Sequence, residues 1–179
     1  DELAKLIRER AQKVLDNLPR NETFNFVERV SIELTTQMLA TLFDFPFEER
    51  RKLTYWSDLA VGTPEMAGAT GFSQQERLAG LNDCAATFAR LWQERIGRQG
   101  GHDLLSQLQS SDKTRDIIER PLEFLGNLML LIVGGNDTTR NSLSGGVLAL
   151  NQNPAEYDKL RANPGLIPSM VSEIIRWQT

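Results

Sequence analysis

The sequence predicts a mainly α-helical protein, and three observations predict it. Apolar residues recur at three- and four-residue steps along most of the chain, the spacing that builds one buried face on an amphipathic helix. Pro19, Pro46, Pro121, Pro154 and Pro164 fall at the ends or starts of these runs, where a helix stops or begins. Ser73 and Glu76 stand three apart in capping-box order ahead of a long run. With 179 residues, of which 40% are hydrophobic, the chain is large enough to bury a core, and residues 1–179 are read as a single domain.

The elements follow in order. Leu3, Leu6, Ile7, Val14, Leu15 and Leu18 line a first helix that Pro19 stops. A short extended piece around residues 24–26 leads into a second helix on Val27, Val30, Leu34, Met38, Leu39 and Leu42, which ends at Pro46. Residues 48–59 set charges beside Leu53, Tyr55, Trp56 and Leu59, giving a third helix. Gly62, Pro64, Gly68 and Gly71 then break regular structure, so residues 61–72 are a loop. From Ser73 to Ile96 a long helix carries Leu78, Leu81, Ala85, Phe88, Leu91 and Trp92 along one side, with Cys84 on it as a small, partly buried hydrophobe. After the Gly100-Gly101 turn comes a short helix around residues 104–108. A long central helix then runs from Pro121 to Leu150, and Asn153-Pro154 and Asn163-Pro164 open two more.

Composition removes several function classes. The formal net charge is -4, and the basic residues are scattered among the acidic ones, which argues against a nucleic-acid partner or an anionic membrane surface. The longest apolar stretch, residues 122–135, is interrupted by Glu123 and Asn127 and falls short of the roughly 18 to 20 apolar residues of a membrane span. A single cysteine allows no internal disulfide, and no charged segment followed by an apolar one opens the chain, so a cytoplasmic setting is expected. His102 is the one histidine, which excludes a histidine-rich metal site; in its glycine turn it reads as a surface or capping residue.

The central helix holds the chemistry. Gly134 and Gly135 sit inside an otherwise apolar stretch, where each costs about 1 kcal/mol relative to alanine. Such glycines let a flat cofactor lie against the backbone, with Asp137 and Thr138 facing it; alternatively, they permit tight helix crossing. Positions 130, 134, 137, 138 and 141 share one helical face. A Thr138 hydroxyl returned to the Gly134 carbonyl would open a groove for a small diatomic ligand. No lysine follows the glycines and no strand pattern precedes them, so this is not a phosphate loop. Further on, Glu173 and Arg176 are three apart and can pair on one face.

Gly134-Gly135-Asn136-Asp137-Thr138-Thr139 resembles the central-helix motif of the cytochromes P450, and Glu173-Ile174-Ile175-Arg176 resembles their Glu-x-x-Arg motif. The resemblance spans the chain and implies the central helical portion of that fold, with the haem-ligand loop and most of the β-sheets missing. At finer grain, residues 132–151, 43–52 and 173–179 are similar to the bacterial soluble class that hydroxylates medium-chain alkanes and fatty acids at the terminal carbon.

What the resemblance implies is a haem b held by a cysteine thiolate outside these residues, Cys84 lacking the neighbours of that loop. It also implies NAD(P)H-derived electrons delivered by a ferredoxin and a ferredoxin reductase, and an apolar small-molecule substrate beside O2. Carried over by position, Thr138 would hydrogen-bond the dioxygen and Asp137 would relay protons. Gly134, Gly135 and Thr138 would lie against the cofactor. Leu130, Leu131, Val133 and Gly134 would form the substrate wall, and Glu173 and Arg176 would be a structural pair locking the core beside the haem. The loop over residues 61–72, with Met66 and Phe72, would be the lid of the substrate channel. Two other readings stay open: a steroid or terpene hydroxylase of the same family, and a non-enzymatic helical interaction module.

Overall fold

The computed structural model describes residues 2–62, 71–98 and 100–178. The described residues are helical throughout their regular structure and contain no strand. Helix α1 spans Glu2–Asp16, and a π-helical segment at Val27–Ile32 runs directly into α2, Glu33–Phe43. A 3-10 turn at Phe47–Glu49 precedes α3, Arg51–Val61. Then come α4 (Gln74–Arg95), α5 (Leu104–Ser110), α6 (Pro121–Gln152), α7 (Pro154–Ala162) and α8 (Ile167–Gln178). Most of the expected channel lid, including Met66, lies outside the described residues.

Each boundary has a local cause. Helix α2 ends in a Schellman arrangement: the Phe45 amide donates to the Ala40 carbonyl at 2.8 Å and the Asp44 amide to the Thr41 carbonyl at 3.3 Å. Asp44 takes φ +47° at that turn, a conformation that a short polar side chain tolerates. The expected capping box of α4 is present, with the Glu76 amide donating to Ser73 Oγ at 3.2 Å and the Ser73 amide to Glu76 Oε2 at 2.8 Å. These bonds from Ser73 hold the Glu76 carboxyl below its ordinary value. Asp103, and not His102, caps α5: its carboxylate accepts from the Ser106 amide at 3.0 Å while His102 stays exposed.

The chain divides into two compact units, residues 36–136 and residues 1–35 with 137–179. The first has a core of Phe43, Phe45, Trp56, Phe88, Trp92 and Phe124 around aliphatic side chains from α2 to the first half of α6. Several of its rings meet edge to face, among them Phe43 with Phe88 at 5.1 Å and Trp92 with Phe124 at 5.4 Å. Cys84 is fully buried here and its thiol is pushed well above the ordinary range by burial, so it is inert packing.

The buried face of α4 departs from the sequence reading. Leu78 is exposed, and the inward side carries Gly80, Cys84, Phe88, Leu91, Trp92 and Arg95. Arg95 is only 3% exposed. It donates from Nη1 to the Leu91 carbonyl, from Nη2 to the carbonyls of Phe43 and Asp44, and from Nε to Asp103 Oδ1. It thus satisfies the last carbonyls of α2 and pins the start of α5.

In the second unit, Val14, Val30 and Ile32 are buried. Helix α8 packs on the second half of α6 at Gly146, where a Cβ would come within 2.7 Å of Ile174 Cδ1. Ser31, fully buried in the π-helical segment, lies 2.8 Å from Ser144 on α6, oxygen to oxygen.

Candidate functional site

Helix α6 remains α-helical from Pro121 through Gln152, so the expected face is a real one. Leu130, Gly134, Thr138 and Asn141 are all exposed along it, with Leu130 at 73%. One turn of helix separates each from the next, giving a strip that is apolar at its start and polar at its end.

The two glycines have different surroundings. A Cβ built on Gly134 meets nothing within 4 Å, so its backbone is open to a ligand lying across the helix. A Cβ on Gly135 would come within 2.7 Å of Leu39 Cδ2, so Gly135 serves close packing of α6 against α2. The helix-crossing role therefore accounts for one glycine, and open approach for the other. The substrate-wall residues also divide: Leu131 packs against the core, Val133 is half-buried, and Leu130 stands in the open strip. Asn136, which the sequence reading passed over, is fully buried.

Beside the strip, Asp137 is shielded. Its Oδ1 lies 2.9 Å from Arg140 Nη2, and the two side chains are 14% and 16% exposed. Asp137 and Thr138 stand at one end of an apolar groove of about 580 Å³ that continues past Gly146, Val171 and Ile174. The acid and the hydroxyl are adjacent in sequence and line the same groove.

Glu173 and Arg176 pair as expected, Arg176 Nε donating to Glu173 Oε2 at 2.8 Å. This pulls the Glu173 carboxyl below its ordinary value. Their side chains are, however, 62% and 70% exposed, so the pair does not lock a core formed by the described residues.

On the α6 face of the residue 36–136 unit, the open space at Gly134 and the exposed Leu130 suit a flat apolar group. Among the described residues no group of histidine, cysteine and carboxylate side chains could hold a metal ion, and buried Cys84 is unsuited to be a thiolate ligand. No helix among them is long and apolar enough to cross a membrane.

No family model matches the chain. The solved structure of cytochrome P450-153 from Novosphingobium aromaticivorans matches it with a TM-score of 0.84 and 44% sequence identity, covering 98% of this chain and 41% of that one. The steroid C26-monooxygenase of Mycobacterium tuberculosis is 32% identical over 178 residues, 97% of this chain and 38% of that protein. The linalool 8-monooxygenase of Pseudomonas putida is 30% identical over 175 residues, 95% of this chain and 41% of that protein.

The chain's relatives and structural neighbours are cytochromes P450, and the chain spans about two fifths of the length of the relatives it matches. Haem is the cofactor that this family implies.

Proposed function

We propose that the chain contributes the oxygen-handling helix to a longer haem-thiolate monooxygenase that hydroxylates medium-chain alkanes or fatty acids at the terminal carbon. The observation that carries the reading is the α6 strip, where the uncovered Gly134 backbone and Leu130 lie in line with Thr138, and Asp137 adjoins it. All 179 residues belong to one domain of that enzyme.

The overall reaction inserts one atom of O2 into a C–H bond. Two electrons and two protons turn the other atom into water. Haem, when bound, supplies the activation of dioxygen, its thiolate ligand favouring O–O cleavage. The residues of this chain supply the rest. Leu130, with Val133 and Leu131 behind it, gives an aliphatic substrate an apolar wall. Gly134 keeps a side chain off the cofactor face, while Gly135 lets α6 pack closely on Leu39. Thr138 would donate its hydroxyl hydrogen toward the bound oxygen, and Asp137 would pass protons to it one at a time from solvent, a contribution of about 10²- to 10⁴-fold when well placed. Electrons come from NAD(P)H through a ferredoxin reductase and a ferredoxin in the cytoplasm.

The terminal-carbon preference rests on the similarity of residues 132–151, 43–52 and 173–179 to that bacterial class, and on the 44% identity to cytochrome P450-153. A second reading, a steroid or terpene hydroxylase, is favoured by the names of the two monooxygenase relatives. The match of nearly the whole chain to monooxygenases speaks against a non-enzymatic helical module.

The test is to supply the full-length protein with a ferredoxin and its reductase, offer octane, dodecanoic acid, a sterol and linalool under ¹⁸O2, and identify products by mass spectrometry. One ¹⁸O at the terminal carbon of the linear substrates supports the proposal. Label in the sterol or linalool alone transfers it to the second reading, and no labelled product refutes both.

A further inference from the structure

The groove end where Asp137 meets Arg140 carries an inference that rests on the proton-relay reading of Asp137 and extends it. Among the described residues, the ion pairs Asp137–Arg140, Glu156–Lys159 and Glu173–Arg176 of the second unit share a three-residue spacing. Glu173–Arg176 lies in solvent, as most such pairs do, while Asp137–Arg140 is more than four-fifths buried at both ends. A solvated pair reorients freely and fixes nothing. A shielded guanidinium, by contrast, leaves a neighbouring carboxylate few orientations.

Arg140 is itself held from the other side. The Ser144 hydroxyl donates to the Arg140 backbone carbonyl at 2.9 Å. With that hydrogen committed, Ser31 is the donor in the 2.8 Å contact between Ser31 Oγ and Ser144 Oγ. The turn of α6 that follows Thr138 is therefore tied through Ser144 to buried Ser31 of the π-helical segment, and Arg140 reaches Asp137 from a braced backbone.

We propose that Arg140 is a positioning residue that sets the direction of the Asp137 carboxylate, so that proton transfer toward Thr138 starts from one fixed geometry. Arg140 touches neither substrate nor reacting oxygen. It acts through Asp137, and an acid misplaced by about 1 Å can lose on the order of 10² in rate.

The experiment uses the full-length holoenzyme with Arg140→Ala, Arg140→Gln, Asp137→Asn and the Asp137→Asn/Arg140→Ala double variant. Three quantities are measured: the share of electrons recovered in hydroxylated product and not in hydrogen peroxide, the solvent deuterium isotope effect on product formation, and the Asp137 side-chain position in crystals of the cofactor-loaded and cofactor-free forms. Arg140→Ala is expected to lower coupled hydroxylation about tenfold, within the range that general acid–base groups contribute. It should also raise the isotope effect and displace the carboxylate in both crystal forms, and the double variant should be no worse than Asp137→Asn. Arg140→Gln keeps most of the side-chain volume without the charge, and takes the same readings if the alanine variant does not fold.

The proposal is overturned if stability falls while coupling and isotope effect stay at parental values, if the carboxylate does not move, or if the two losses add in the double variant. Full coupling in Asp137→Asn is a separate result: it refutes the relay reading of Asp137 and, with it, this inference.

Discussion

Arg95→Ala should be among the most damaging substitutions in the residue 36–136 unit. The guanidinium is 3% exposed and makes five hydrogen bonds, to the carbonyls of Leu91, Phe43 and Asp44 and to the carboxylates of Asp44 and Asp103. Its removal strands the carbonyls that end α2 and leaves Asp103, 11% exposed at its side chain, without its buried counter-charge. Breaking a buried pair by deleting one partner typically costs about 3–5 kcal/mol. Asp44, by contrast, is 67% exposed at its side chain, so Asp44→Asn, which removes the charge and still tolerates the φ +47° turn, should cost no more than about 1 kcal/mol. The assay is urea unfolding of the full-length protein, followed by the fluorescence of Trp56 and Trp92. With a denaturant slope of about 1–3 kcal/mol/M, Arg95→Ala should lower the midpoint by roughly 1 M or more. Equal shifts for Arg95→Ala and Asp44→Asn, or a loss below about 1 kcal/mol for Arg95→Ala, would refute the hub described for Arg95.

Three further outcomes follow from named contacts. In the cofactor-free protein, Gly134→Ala should raise stability by up to about 1 kcal/mol, because the added methyl group meets nothing and helix propensity improves. Gly135→Ala makes the same propensity gain against overpacking on Leu39 worth about 1–3 kcal/mol, so it should be the less stable variant by thermal unfolding; equal melting temperatures would contradict the split between the two glycines. Burial raises the Asp103 carboxyl, but bonds from Ser106 and the Arg95 charge outweigh it and hold it below its ordinary value. The stability this group contributes is therefore complete above the unfolded value of about 3.9 and is lost as pH falls through the lower folded value, so Asp103→Asn should flatten the acid branch of a stability–pH curve, an unchanged slope being the contrary result. Ser73→Ala removes the α4 capping box and should cost about 1 kcal/mol in the same unfolding assay, whereas a change near zero would mean that water replaces the cap.

Much of this architecture was legible in the sequence because helix ends are written in local chemistry. Proline and glycine positions, together with the Ser73–Glu76 box, put the helices close to where they fold. The strip of Leu130, Gly134, Thr138 and Asn141 was legible too, since a continuous helix turns periodicity directly into a face. The misses lie where tertiary contacts overrule residue type. A leucine at 78 reads as core but faces solvent, and an arginine at 95 reads as solvated but fills the interior, because carbonyls from a distant helix end await it. The π-helical turn at Val27–Ile32 was hidden because its apolar spacing is also that of an ordinary helix start. The different surroundings of Gly134 and Gly135 depend on Leu39, almost a hundred residues earlier, and no local pattern marks it. Burial of Glu173 and Arg176 was expected from resemblance, and the described residues do not supply it.

The most direct test of the central claim is the carbon monoxide difference spectrum of the reduced full-length protein. A haem-thiolate enzyme built around α6 gives the strongly red-shifted Soret band of a cysteine-ligated haem, and the account predicts that band. A protein that takes up no haem, or one whose band stays at the position of histidine-ligated haem, would contradict it.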